Sequence, residues 1–349
     1  MKRRTVIFLT VSLVVILSFV NNGTAKAQEP FFKGKQIRIV VGLSTGGGYD
    51  RAARLLARYM GKYLPGNPDF VVQNMPGAAS VVAANYVWGV AKPDGLTLVM
   101  PHNNVYLSQL SGQKEVQFDL PKFQWIGSLE NDDMLLFGRA DAPFKSVGDI
   151  VRAKEPPKCG STGVGSSDYV MAKILEDTVG AKINSITGYP GSSEIALAME
   201  RGEVACMGLT ISTYFGREPF LGWLKTKFVR FLAQIGRKRQ ERVPDAPTFY
   251  ELMDEYKTSP TKRRTTETML QGGEWARPMM APPGTPADRV AILRAAYEKA
   301  AKDPELLAEA KKLHIDVTPA RGEQLQATAK EVMTQPPEVI EQIKKLFVQ

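Results

Sequence analysis

The stretch Ile37-Arg38-Ile39-Val40-Val41-Gly42-Leu43-Ser44-Thr45-Gly46-Gly47-Gly48-Tyr49-Asp50 passes from an apolar run, through a glycine loop, into a segment where Ala53, Leu56, Met60 and Leu64 recur. A short apolar run closed by glycine has the length of a buried strand. Recurrence at steps of three and four puts apolar residues on one face of a helix. The stretch therefore predicts a strand over 37–41, a glycine turn and a helix over 50–64, which is one βα unit.

The same alternation continues outward. A strand over 70–73 precedes an Ala- and Val-rich helix over 78–90, and Lys92-Pro93-Asp94-Gly95 turns the chain into a strand over 96–100. A further strand is expected over 124–128. The pattern then restarts with strands over 134–138 and 157–162 and helices over 146–154 and 169–179. Strands over 183–187, 204–209 and 228–235 and a helix over 194–201 complete this second half. Such alternation predicts an α/β protein of mostly parallel strands in two similar halves. The polar segment 254–274, with Lys262-Arg263-Arg264, reads as an exposed insertion. Beyond it come a strand over 275–281, a helix over 286–301 and two helical segments over 322–348 interrupted by Pro336-Pro337.

At 349 residues, with 44% hydrophobic and 23% charged content, the chain is long enough to bury the core of two lobes, which excludes wholesale disorder. Lys2, Arg3 and Arg4, the apolar run 5–20 and Ala25-Lys26-Ala27 form a secretory signal over 1–27, cleaved before Gln28. That run is shorter than the roughly 20 residues a bilayer span requires. Nothing later in the chain is as apolar over such a length, so the mature protein is expected to be soluble and periplasmic.

The signal carries Lys2, Arg3, Arg4 and Lys26 and no acidic residue, so its removal lowers the formal charge of +9. The remaining excess suits a small anion. The densest basic cluster, Arg237-Lys238-Arg239 with Arg242 nearby, lacks interleaved aromatic residues and reads as a solvated helix end, so no nucleic-acid partner is expected. Cys159 and Cys206 are the two cysteines. Export permits a bridge between them, and two small buried side chains in neighbouring strands fit equally well.

Three loops, each at a helix start, carry the chemistry the sequence offers. In the first, Gly42 to Asp50, unpaired backbone N–H groups and the positive end of the helix dipole can cradle a carboxylate or phosphate that glycines allow to approach. It contains neither Gly-x-Gly-x-x-Gly nor a P-loop Lys-Ser/Thr. It does fit Gly-x-Ser-x-Gly, which would make Ser44 the nucleophile of a secreted serine hydrolase with His102 or His314 as base. Its place after the first strand, with no His-Gly-Gly segment upstream, argues against that reading. The second loop is Gly160-Ser161-Thr162-Gly163-Val164-Gly165-Ser166-Ser167, where Ser166 and Ser167 can cap a helix or hold an anion. The third is Gly188-Tyr189-Pro190-Gly191-Ser192-Ser193-Glu194. Two histidines and two distant cysteines offer no ligand spacing, so neither metal nor cofactor is expected. Asp132-Asp133 reads as a solvated turn between the halves, His102 as a residue facing the cleft or satisfied in the structure, and His314 as a surface residue.

Several motifs together resemble the Bug-type extracytoplasmic solute receptors, the substrate-binding components of tripartite tricarboxylate transporters. They are Gln36-Ile37-Arg38-Ile39-Val40-Val41 leading to Gly46-Gly47-Gly48-Tyr49-Asp50, Ala53-Arg54-Leu55-Leu56-Ala57, Val72-Gln73-Asn74-Met75-Pro76-Gly77-Ala78 and Ala91-Lys92-Pro93-Asp94-Gly95-Leu96-Thr97-Leu98. Gly163-Val164-Gly165-Ser166-Ser167, Arg201-Gly202-Glu203-Val204, Val243-Pro244-Asp245-Ala246-Pro247-Thr248 and Ala281-Pro282-Pro283-Gly284-Thr285-Pro286 follow in order.

The resemblance implies a type II periplasmic binding protein, with a ligand cleft between two α/β lobes. Lobe one would comprise 28–135 and 275–349, and lobe two 136–274. It implies a monomer that binds a small organic carboxylate without chemistry and delivers it to the permease subunits of such a transporter. A periplasmic ligand-sensing adaptor would share the same pocket. The resemblance implies binding by the loops Ser44 to Asp50, Gly165 to Tyr169 and Tyr189 to Ser193; with His102 and Thr210 added, the expected binding set is Ser44, Thr45, Gly46, Gly47, Gly48, Tyr49, Asp50, His102, Gly165, Ser166, Ser167, Tyr169, Tyr189, Gly191, Ser192 and Thr210. Two departures stand out. Tyr169-Val170 replaces the family's frequent His-Leu, and Leu209 stands where some relatives place a carboxylate suited to an amino group, which argues against an amino-acid ligand. Tyr106, Tyr169 and Tyr189 are either pocket walls for a larger carboxylate or core residues.

Overall fold

The computed structural model describes residues 29–130 and 133–347; the secretory signal over 1–27 and Asp132 lie outside them. Among the described residues no helix is long and apolar enough to cross a membrane. Among the described residues eleven strands form two sheets. The first contains β1 (Gln36–Val41), β2 (Asp69–Asn74), β3 (Thr97–Met100), β4 (Gln124–Ser128), β10 (Pro278–Ala281) and β11 (Ala320–Arg321), in the order β11-β4-β10-β3-β1-β2. The second contains β5 (Met134–Arg139), β6 (Lys158–Gly160), β7 (Asn184–Ile186), β8 (Cys206–Thr210) and β9 (Val229–Gln234), in the order β7-β6-β8-β5-β9.

β1 shows why the apolar run becomes an interior strand. It lies between parallel neighbours β2 and β3, and Ile37, Ile39, Val40 and Val41 are all fully buried. A strand covered on both faces needs a continuous rather than alternating apolar sequence. The helix Gly48–Met60 then lays Ala53, Leu56 and Met60 into the core beside Leu64, the face expected from their spacing.

The expectation of mostly parallel strands is corrected. β1 is parallel to β2 and β3, and β6 to β7 and β8, but β10 runs antiparallel between β3 and β4, and β5 antiparallel between β8 and β9. The short β11 also runs antiparallel to β4, while β5 and β10 are the strands by which the chain passes from one sheet to the other. Such a strand enters from the far side, a direction that alternation of strand and helix signals does not encode.

The expected exposed insertion is also corrected. Residues Pro260–Leu270 form a helix packed against the helices Ser167–Val179 and Pro337–Phe347. Its buried face is threonine rather than leucine: Thr265, Thr266 and Thr268 are buried with Met269. Thr265 and Thr268 donate their hydroxyls to the carbonyls of Thr261 and Arg264, which satisfies the polar groups inside the helix itself. The helix expected over 78–90 begins only at Val81, because Ala78, Ala79 and Ser80 take left-handed backbone angles. Ser80 there donates to the carbonyl of Gly42 and accepts from the amide of His102, pinning the ends of β1 and β3 together.

Cys159 and Cys206 face one another in register across β6 and β8 and form a disulfide. One apolar cluster spans both halves, with Trp125, Tyr106 and Trp275 on one side and Tyr169, Leu175 and Phe347 on the other. Trp275 meets Trp125 and Tyr106 edge to face and donates its indole N–H to the carbonyl of Asn103. At the end of the chain, the helix Gly322–Val332 rests on β4 of the first sheet, whereas Pro337–Phe347 packs against the helices Pro260–Leu270, Ser167–Val179 and Val105–Leu110.

Candidate functional site

Three helices of nine or more residues, Gly48–Met60, Ser167–Val179 and Ser192–Glu200, start at one cavity between the sheets. Their N-cap residues, Gly47, Ser166 and Gly191, supply no side-chain cap. First-turn amides have no partner within a helix, so three partially positive ends meet at one place. The cavity holds about 550 Å³ of space not filled by protein atoms.

Nine of the expected binding residues line it: Ser44, Gly47, Gly48, Tyr49, His102, Ser167, Gly191, Ser192 and Thr210. Thr45, Gly46 and Asp50 shape the loop instead. Asp50 accepts from the amide of Gly46 and from Arg54, and Thr45 donates to Asn74. Burial acts to raise the Asp50 pKa, but Arg54 and the Gly46 amide together hold it below the usual range. Gly165 packs against Ser108, and Ser166 donates to the carbonyl of Gly163 and to Asp168. Tyr169 is buried on Phe347, and Tyr189 packs against the cluster beneath the second sheet. Tyr106 is a core residue whose hydroxyl lies between the carbonyl of Thr268 and the amide of Gly272.

His102 stacks on Tyr49 and is buried. Burial, reinforced by the charge of Arg277, pushes its pKa down to about 3, so the ring is neutral. Its Nδ1 lies 3.1 Å from the amide of Asn104, and its Nε2 faces the amide and the hydroxyl of Ser167 at 3.4 and 3.3 Å. A general base of the serine-hydrolase kind has its Nδ1–H held by an acid, whereas this Nδ1 meets a backbone amide. The hydroxyl of Ser44 donates to Glu194 rather than to a histidine. His314 is exposed and outside the cavity.

The chief residue outside the expected set is Arg277, just before β10, with 1% of its side chain exposed. Its guanidinium stands over the Tyr49 ring at 4.4 Å and donates to the hydroxyls of Thr210 and Thr213 at 3.2 and 3.1 Å. A Cβ on Gly48 would lie 2.9 Å from Nη2 of Arg277, so glycine at the helix start is what brings the guanidinium against the backbone. Glu130 pairs with Arg277 at 3.4 Å and accepts from Ser212. Burial lifts the Glu130 carboxyl above its usual range against the pull of Arg277. Burial likewise pushes the Tyr49 hydroxyl up to about 12, where it exchanges hydrogen bonds with Asn103. One signal for Arg277 was present: a lone arginine in the otherwise apolar run Trp275-Ala276-Arg277-Pro278-Met279-Met280. Asp168, Thr162 and Thr213 also line the cavity. Among the described residues no group of three or more His, Cys, Asp or Glu is placed to hold a metal ion.

Residues 52–345 match the family described as tripartite tricarboxylate transporter family receptor. A UPF0065 protein encoded in the gbd 5' region of Cupriavidus necator is 31% identical over 233 residues, 65% of this chain and 67% of that one. The structure of the periplasmic binding protein BugD superposes with a TM-score of 0.71 at 23% identity, covering 91% of this chain and 99% of that one. MatC from Rhodopseudomonas palustris, solved with bound malate, superposes with a TM-score of 0.68 at 22% identity, covering 90% and 100%. The chain belongs to the TctC family, the Bug-type receptors of tripartite tricarboxylate transporters, and has the two-lobed periplasmic-binding-protein fold. Receptors of this family are periplasmic solute-binding proteins that serve tripartite transporters.

Proposed function

We propose that this receptor captures a small organic carboxylate in the cavity between its two sheets and hands it to the permease subunits of a tripartite tricarboxylate transporter. The observation that carries the reading is the convergence of three helix N-termini with the buried guanidinium of Arg277 on one cavity. Moving a carboxylate out of water is tolerable only where several donors replace its hydration, and charge-assisted donors do so best. MatC, a relative of the same fold, holds malate.

In this reading the protein is exported by its cleaved signal over 1–27 and acts as a monomer without catalysis. Its lobes comprise 28–135 with 275–349, and 136–274. The neutral His102 and the engagement of Ser44 with Glu194 favour binding over hydrolysis. The test is a thermal-shift screen of mature protein, unfolded and refolded to strip carried-over ligand, against mono-, di- and aromatic carboxylates, sugars and amino acids. A ligand that binds only the native state raises Tm once its concentration exceeds Kd. Carboxylate-selective shifts support the reading; shifts with sugars alone overturn it.

A further inference from the structure

Asp168 puts a carboxylate into a cavity otherwise built for anions. It stands in the first turn of the helix Ser167–Val179, lines the cavity and is 9% exposed. Its Oδ1 accepts from the amide of Tyr169 at 3.1 Å, from the hydroxyl of Ser161 at 3.4 Å and from the hydroxyl of Ser166. All of these bonds fall on one oxygen, and among the described residues none reaches Oδ2. Gly208 of β8 lies opposite, where a Cβ would stand 2.9 Å from Cα and 3.1 Å from Cβ of Asp168. The glycine thus lets strand and helix start close together around this side chain. Burial pushes the Asp168 pKa up to about 6 despite its hydrogen bonds. A second anion beside it is unfavourable unless that anion also brings a donor.

We propose that Oδ2 of Asp168 accepts a hydrogen bond from a hydroxyl carried by the ligand near its carboxylate, so that the receptor selects hydroxy acids over their unsubstituted counterparts. This rests on the carboxylate-binding reading above. An ammonium shares the donor chemistry, but the positive charge of Arg277 in the same cavity opposes a second cation, which favours the hydroxyl.

The experiment is titration calorimetry of the refolded mature protein with three matched sets: lactate, propionate and alanine; malate, succinate and aspartate; mandelate, phenylacetate and phenylglycine. In whichever set binds, the hydroxy acid is expected to bind at least about tenfold more tightly than its unsubstituted partner, the value of a hydrogen bond to a buried charge. In Asp168→Asn the donors around Oδ1 retain the amide oxygen, so a neutral NH2 replaces the charged acceptor facing the ligand hydroxyl and the preference falls by about threefold or more. Asp168→Ala serves the same purpose should the first variant unfold. An equal affinity for hydroxylated and unsubstituted acids, or an undiminished preference in the variants, overturns the proposal. Tightest binding of an amino acid overturns the hydroxyl assignment. Failure of all nine compounds is a different result, because it counts against carboxylate binding itself.

Discussion

Ser44 and Glu194 are 150 positions apart in the chain and meet at the cavity, where the Ser44 hydroxyl donates to Oε2 of Glu194 at 3.1 Å. The Ser44 amide donates to the carbonyl of Pro190 at 3.2 Å, so both hydrogen-bonding groups of this residue hold the first loop to the third. Ser192 in turn accepts from Arg217 at 2.8 Å. The serine that matches a nucleophile motif is therefore part of the seam between the halves.

Ser44→Ala and Glu194→Gln each remove or weaken that half-buried bond and should raise Kd for a carboxylate by about two- to tenfold. The double variant should lose no more than the worse single one, because both changes act on the same bond. A double-mutant cycle by calorimetry decides; fully additive losses would falsify the seam.

Arg277→Met leaves the Glu130 carboxylate buried without its cation, and breaking such a pair costs about 3–5 kcal/mol. Adding Glu130→Leu should restore most of that stability in urea unfolding. Carboxylate affinity should stay lost in both variants. Recovery of binding in the double variant would remove Arg277 from the recognition chemistry.

Replacing both Cys159 and Cys206 by serine opens a loop spanning a sequence separation of 47. The chain-entropy account of such a loop gives a ceiling of about 4 kcal/mol. A loss of about 2–4 kcal/mol in urea, reproduced by adding a reductant to the native protein, is the expected outcome. No change in either experiment would show that the bridge contributes nothing to stability.

Two buried groups pull the pH dependence of stability in opposite directions. The pKa of His102 falls from 6.5 to about 3 on folding, so between these values the unfolded chain binds more protons and stability rises with pH. Asp168 rises from 3.8 to about 6, so in its window the folded protein binds more protons and stability falls as pH rises. Each slope approaches about 1.4 kcal/mol per pH unit. Between about pH 4 and 6 they offset. Urea unfolding at pH 4, 5 and 6 should therefore show a steeper rise for Asp168→Asn than for the native chain, and a fall relative to it for His102→Gln. Parallel curves for all three proteins would refute both assignments.

The first βα unit was legible because strand, loop and helix signals are contiguous, and the three glycine-bearing loops were legible for the same reason. The antiparallel course of β10 was not, because strand direction depends on where the chain returns from. The helix Pro260–Leu270 escaped because threonine buries a face as well as leucine does when its hydroxyl turns back onto the helix. Arg277 and Glu130 escaped because an ion pair between distant positions leaves no local pattern. Arg277 is a lone charge in an apolar run and Glu130 stands at the head of the acidic stretch Glu130-Asn131-Asp132-Asp133, and only the fold reveals that the two pair.

The chain passes between the sheets after β4, returns just before β10, and crosses once more between the helices Gly322–Val332 and Pro337–Phe347. In the third crossing Gln335 accepts from Thr268, and Phe347 ends against Tyr169 at 5.6 Å. Three lengths of backbone thus tie the two sheets together, and any change in their spacing has to be taken up by those connections. The two walls of the cavity are therefore held at their spacing by backbone as well as by side-chain contacts.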